Sequence, residues 1–126
     1  MAYRVSKADF GGMVQLAIMD LPAEFSEAVQ EVPIEILDLP TKALLSRLSK
    51  KPAGLLLGLY TGVPLTQRNV GDSGRLPDSI YLFQENIESV CRDADELVEQ
   101  IRVTLLHEIG HYFGLDEDDL ARLGYG

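Results

Sequence analysis

Residues 93–120 read DADELVEQIRVTLLHEIGHYFGLDEDDL, and their spacing decides what the rest of the chain has to pack against. Asp93 and Glu96 stand three apart, as a helix N-terminal cap requires, and Leu97, Val98, Ile101, Leu105 and Ile109 follow at the intervals of one apolar helix face. The pattern predicts a helix over 94–112. Gly114 then suits the left-handed conformation that ends a helix and turns the chain back. Asp116 can cap a last short helix that packs through Leu120, Ala121 and Leu123 and stops at Gly124.

The same stretch carries chemistry. His107 and His111, four apart, share one helix face a turn from each other, so both imidazoles can bind one ion at about 2.0–2.1 Å. Glu108 falls on the adjacent edge, where it can reach a water on that ion without ligating it. The chain has only 2 histidines, and scattered at random they would fall in this arrangement about once in a thousand sequences. The reading is one Zn2+ per chain, bound by His107 and His111, with Glu108 as the catalytic base. Few residues follow His111, too few for a ligand on a long downstream helix. The third ligand is therefore sought among Asp116, Glu117, Asp118 and Asp119, or upstream. Glu117 is the first choice, with Asp116 or Asp118 as alternatives, since acidic residues at a helix start need no metal to be favourable.

Working outward, Ser6 and Asp9 can cap a helix over about 8–21 carrying Phe10, Met13, Val14, Ala17 and Leu21, and Pro22 opens a second, short one with Phe25, Ala28 and Val29 inward. Alternation of Val32, Ile34 and Ile36 predicts a strand over 32–38, which Pro33 confines to a strand start or a sheet edge. Thr41 can cap a helix with Leu44, Leu45 and Leu48, closed by Lys50, Lys51 and Pro52. Residues 54–60 read as a buried strand whose glycines, Gly54 and Gly58, permit a close approach or a bend. Residues 61–78 hold turn formers without an apolar period, and predict a long loop. Ser79–Gln84 alternates Ile80 and Leu82 against Tyr81 and Phe83 as a third strand, followed by a short helical turn over 85–90. This third strand, shortly before the metal helix, is the expected rail for an extended peptide.

The 126 residues suit one domain, 46% apolar and 25% charged, with no stretch approaching the ~20 apolar residues of a membrane span. The N-terminus shows no secretory leader, and the expected location is the cytoplasm. The single cysteine, Cys91, permits neither an intramolecular disulfide nor a thiolate cluster, and reads as a small buried hydrophobe. A net charge of −9 repels phosphate backbones and anionic bilayers, so neither nucleic acid nor membrane is an expected partner.

The run HEIGHYFGLDEDDL resembles the extended zincin motif HExxHxxGxx(H/D), and more narrowly the small bacterial zincin-like metallopeptidases called minimal zincins. LPAEF (21–25), VPIEILDLP (32–40), LGLYTGVPLTQR (57–68) and PDSIYLFQ (77–84) resemble the same family in the same order. The resemblance implies an α+β fold, a single compact domain over 1–126 whose small three-stranded sheet packs against helices including the HExxH helix. It implies His107 and His111 as zinc ligands, Glu108 as base and Glu117 in the third-ligand place, where the aspzincin pattern has Asp. The implied activity is zinc-dependent hydrolysis of peptide bonds in a peptide or an unfolded protein, with Tyr60, Arg68, Arg75 or Tyr112 available to steady the oxyanion. A rival reading is a zinc-binding module without peptidase activity that acts through a protein partner. A metal-dependent ribonuclease fits poorly with the acidic composition.

Overall fold

The structure, a computed structural model, describes residues 2–48, 54–62 and 78–124. Its element order is α1 (Lys7–Met19), α2 (Ala23–Ala28), β1 (Ile34–Leu37), α3 (Lys42–Leu45), β2 (Gly58–Thr61), β3 (Ser79–Phe83), α4 (Gln84–Ser89), α5 (Ala94–Tyr112) and α6 (Glu117–Arg122). The class is α+β, with helices around a small mixed sheet.

Helix α5 is the centre of the molecule, with the bounds its caps predict. The Asp93 carboxylate accepts from the Glu96 N–H at 2.8 Å, and Glu96 in turn accepts from the Arg92 N–H at 2.9 Å. Leu97, Ile101, Leu105 and Ile109, four apart, are all fully buried. Removing each from water contributes about 1.5–3 kcal/mol, far more than helix propensity alone. Helix α1 packs on α5 and buries Phe10, Val14 and Ala17. Its start is fixed by Ser6, whose hydroxyl accepts from the Asp9 N–H. The segment before it is tied to α4 by Val5 N–H to Glu88 Oε2 and by the Gln84 amide to the Val5 carbonyl. Cys91 is buried, as expected.

The sheet order is β1-β3-β2, with β1 parallel and β2 antiparallel to β3. This corrects the expected rail, because the 79–83 strand is central and both its edges are already paired. It also runs straight into α4, so Phe83 is as buried as Ile80 and Leu82, and the expected alternation holds at the half-buried Tyr81 but not at Phe83. The 54–60 strand is shorter and later than expected. Its ladder extends only as far as β3 can pair, ending at the bond from Phe83 N–H to the Leu57 carbonyl. Likewise β1 is trimmed to four residues, although the Pro33 carbonyl still accepts from Ile80 N–H at 2.9 Å. Helix α3 has its Thr41 cap but leaves Leu45 partly exposed; the residues expected to close it, Lys50, Lys51 and Pro52, lie outside the described residues, as does most of the 61–78 loop. Among the described residues no helix is long and apolar enough to cross a membrane.

Candidate metal centre

The last turns of α5 bring His107 and His111 to the surface with their rings edge to face, centroids 4.7 Å apart. The chain then reverses. Gly114 has φ +90°, and the bonds from Leu115 N–H to the Gly110 carbonyl and from Gly114 N–H to the His111 carbonyl close the helix end in a double-bonded C-cap. A Cβ-bearing residue at Gly114 would be strained there, costing about 1–2 kcal/mol. The reversal returns the Leu115 carbonyl to within 3.0 Å of His111 Nδ1 and starts α6, whose first residue is Glu117.

Three atoms able to ligate a metal thereby converge. His107 Nε2, His111 Nε2 and Glu117 Oε1 lie 3.1 Å from one another on every side. Tetrahedral zinc with bonds of about 2.0–2.1 Å keeps its ligand atoms about 3.3 Å apart, so the donor set and its spacing fit that ion. The Leu115 carbonyl fits it too. A proton on His111 Nδ1 donates to that oxygen and leaves Nε2 as a lone pair, the orientation that a metal-ligating imidazole usually takes. Lone pairs and a carboxylate oxygen at such mutual distances repel unless a cation or a proton lies between them.

The neighbouring acidic residues do other work. Asp116 and Asp119 form a reciprocal capping box at the start of α6, each side chain accepting the other's backbone N–H, and Asp119 also pairs with Arg122. Of the four acidic candidates, only Glu117 belongs to the cluster of groups able to share an ion with the histidines. Helix α6 reaches this position because Gly110 leaves room for Leu120; a Cβ at Gly110 would come within 2.4 Å of Leu120 Cδ2, and Leu120 is fully buried.

Glu108 stands apart from the ligand triangle. The residue is 8% exposed and its Oε1 accepts the Tyr60 backbone N–H at 2.9 Å. Burial pushes its pKa above the usual carboxylate range, against the pull of His107, His111 and the Tyr60 N–H. Both the groove at Leu55–Gly58 and the cavity holding the three ligands reach it. The sequence did not disclose the Tyr60 N–H as an anchor, because a backbone donor has no side-chain signature. The one available signal was Gly58, where a Cβ would lie 2.7 Å from Thr104 Cγ2, 3.0 Å from the Tyr81 carbonyl and 3.3 Å from Glu108 Cγ. Only glycine lets β2 approach α5 this closely; at Gly54 nothing lies near.

Of the four side chains chemically able to steady an oxyanion, none of them counted among the catalytic residues, Tyr60 directs its hydroxyl to Asp78 Oδ1 at 2.9 Å. Tyr112 is buried with its hydroxyl on Glu31. Its ring packs against Tyr60 and Phe113 behind the motif. Arg68 and Arg75 lie outside the described residues.

The family model for zincin-like metallopeptidases matches residues 29–126, a range that takes in the whole sheet, α5 and α6 and leaves α1 outside. No curated protein matches the chain.

Proposed function

This chain belongs to the zincin-like metallopeptidase family, and from that premise we propose that it is a zinc-dependent peptidase in which His107, His111 and Glu117 hold the ion and Glu108 is the general base. The observation that carries the reading is the placement of Glu108: buried beside the ligand cluster, outside it, and fixed by a strand. A site that used metal only as a structural clasp would need no such carboxylate.

A bound zinc would supply a Lewis acid that polarises the scissile carbonyl and acidifies water. The chain's own part is proton transfer and alignment. Glu108 Oε1 is held by the Tyr60 N–H, which leaves Oε2 to take a proton from the attacking water and return it to the departing amine. The raised affinity of Glu108 for protons suits a group that must carry one through the reaction. His111 Nδ1, bound to the Leu115 carbonyl, keeps the imidazole from rotating.

The substrate rail in this reading is β2. In an antiparallel pair alternate residues turn their backbone groups to the partner. The Phe83–Leu57 bond and the register place Leu57, Leu59 and Thr61 toward β3, so Gly58 and Tyr60 face the edge that no strand among the described residues pairs. Tyr60 N–H is engaged by Glu108, and the Gly58 groups and the Tyr60 carbonyl remain for an extended peptide. An open groove of this kind suits short peptides and unfolded segments.

Glu108→Gln tests the proposal. The variant should retain one zinc per chain by elemental analysis and lose peptide hydrolysis by about 10²–10⁴-fold. Undiminished hydrolysis would refute the assigned base, and retained zinc with no hydrolysis in wild type across a broad peptide library would favour the binding-module reading.

A further inference from the structure

The groove beside the metal centre is chemically different at its two ends. Three cavities follow β2 in turn. The first, about 270 Å³, is walled by Leu55, Leu56, Leu57 and Val103 and is apolar apart from Gln100, Thr104 and the site residues. The second, about 380 Å³, contains the ligand cluster and Glu108. The third, about 270 Å³, lies at the far end of the strand, lined by Leu59, Tyr60, Thr61 and Gly62 together with Arg47. Leu48, Leu59 and Tyr60 line both the second and the third, so the two adjoin.

Of the described residues lining these three cavities, Arg47 is the only one with a permanent positive charge. It stands in the turn after α3, exposed, and its guanidinium forms no ion pair among the described residues. In a chain of net charge −9 that is a distinctive position, since most other described cations pair with a carboxylate, as Arg92 does with Glu96 and Arg102 with Glu99. A guanidinium presents a fork of donors matched to a carboxylate.

The strand sets where that carboxylate must be. Antiparallel pairing is the more stable kind, and a peptide added antiparallel to β2 runs from the Gly62 end toward the Leu55 end. Its amino-terminal part then passes Arg47 and its carboxy-terminal part enters the apolar cavity. Tyr60, which anchors the base, and Gly62, beside Arg47, are separated by roughly 7 Å of strand, equal to two residues of an extended substrate.

We propose that Arg47 is a specificity-determining residue that recognises an Asp or Glu two to three residues before the scissile bond, making peptides acidic on that side the preferred substrates. The proposal rests on the peptidase reading and on β2 as the rail. Discrimination between a Glu and a Gln peptide is about five- to tenfold, between what an exposed ion pair and a forked, charge-assisted one supply. It appears in KM, because the contact is equal in ground and transition states, and it shrinks with added salt.

The test uses the zinc-loaded full chain and quenched fluorescent peptides identical except for Glu, Gln or Lys at the third position before a Leu-bounded scissile site. Wild type should rank them Glu, Gln, Lys in kcat/KM. Arg47→Ala should level the series and Arg47→Glu should invert it, while an order unchanged by Arg47→Glu would overturn the proposal. Fluorescence anisotropy of the same peptides on zinc-loaded Glu108→Gln keeps the two readings separable. If no peptide is cut, a binding order that Arg47→Glu inverts supports the role of Arg47 while the peptidase reading fails. Binding indifferent to peptide charge overturns it even where hydrolysis is seen.

Discussion

The two banks of the groove are built on different principles. On one, the end of α5 and the start of α6 present side-chain atoms, and His107, His111 and Glu117 converge to 3.1 Å through three atoms that only those residue types supply. On the other, β2 contributes a backbone N–H to Glu108 and an edge unpaired among the described residues, and what matters there is the absence of a side chain at Gly58. Substitutions on the helical bank should therefore act on metal and chemistry. On the strand bank, most side chains should be replaceable and the glycine should not.

The largest effect that this contrast predicts is His111→Ala. A complete structural zinc site is worth roughly 10–16 kcal/mol, so losing one of two imidazoles should weaken zinc binding on the order of a thousandfold or more. Leu59→Ala, on the opposite bank, should leave the affinity within about threefold. Competition with a chromophoric chelator measures both, and comparable losses in the two variants would erase the distinction between the banks.

A smaller loss is expected for Glu117→Ala, whose carboxylate sits on the exposed side of α6, where water can replace it. Zinc affinity should still fall by more than the roughly 10–100-fold that removing a mere outer partner costs. Asp118→Asn should change it little. Asp116→Asn should lower stability through the cap, by no more than about 1 kcal/mol, while leaving the zinc stoichiometry at one. If Asp118→Asn released zinc and Glu117→Ala did not, the third ligand would be reassigned.

The contrast also explains what was legible beforehand. The bounds of α5, its Asp93 cap and the stop at Gly114 follow from spacing within the helix itself, and the structure has them where the sequence places them. The pair of histidines and the base are equally local. Asp116 was legible as a cap, and that engagement is what removes it from the ligands, although the sequence alone left both roles open. Sheet order was not legible. Whether Ser79–Phe83 lies at the edge or the centre depends on which distant strand pairs with each side, and its apolar content suits either. The role of Tyr60 was hidden because its contribution comes from an N–H that every residue but proline carries. The part of Gly110 was hidden too, because the missing Cβ that admits Leu120 and so brings α6 to this position matters only once the chain has reversed.

Gly58→Ala sharpens the strand side of the comparison. The new Cβ would meet Thr104 Cγ2 at 2.7 Å and the Tyr81 carbonyl at 3.0 Å, and Thr104 cannot easily turn aside because its hydroxyl is bonded to the Gln100 carbonyl. Overpacking of this kind costs about 1–3 kcal/mol, offset by the 0.4–1 kcal/mol that a stiffer unfolded chain returns. Denaturant unfolding should show a net loss of roughly 1–2 kcal/mol by the same accounting. Adding Thr104→Ser, which removes the clashing methyl, should recover part of it but not all, since the Tyr81 carbonyl is unmoved. Full stability in Gly58→Ala would mean that β2 is free to lift from α5, and the Tyr60–Glu108 bond would then be too loose to align a base.

The smallest effect belongs to the opposite end of the metal helix, and it separates what builds α5 from what α5 does. Glu96 is held below the usual carboxylate range, first by its bond to the Arg92 guanidinium and then by the Arg92 backbone N–H. A carboxylate whose pKa is depressed by folding stabilises the fold above its unfolded value, and that contribution is lost as pH falls through the lower, folded value. Glu96→Gln should therefore be slightly less stable than wild type at neutral pH, with the gap in melting temperature closing progressively below the ordinary carboxylate range. Both partners are exposed, so the gap should be small and shrink further with salt. Zinc affinity at neutral pH should be the same in both proteins, because the turns between Glu96 and His107 are fixed by the buried Ile101 and Leu105 and not by the first-turn charge. A changed affinity would show that strain at the start of α5 reaches the ligands, and the two banks could no longer be treated as independently built.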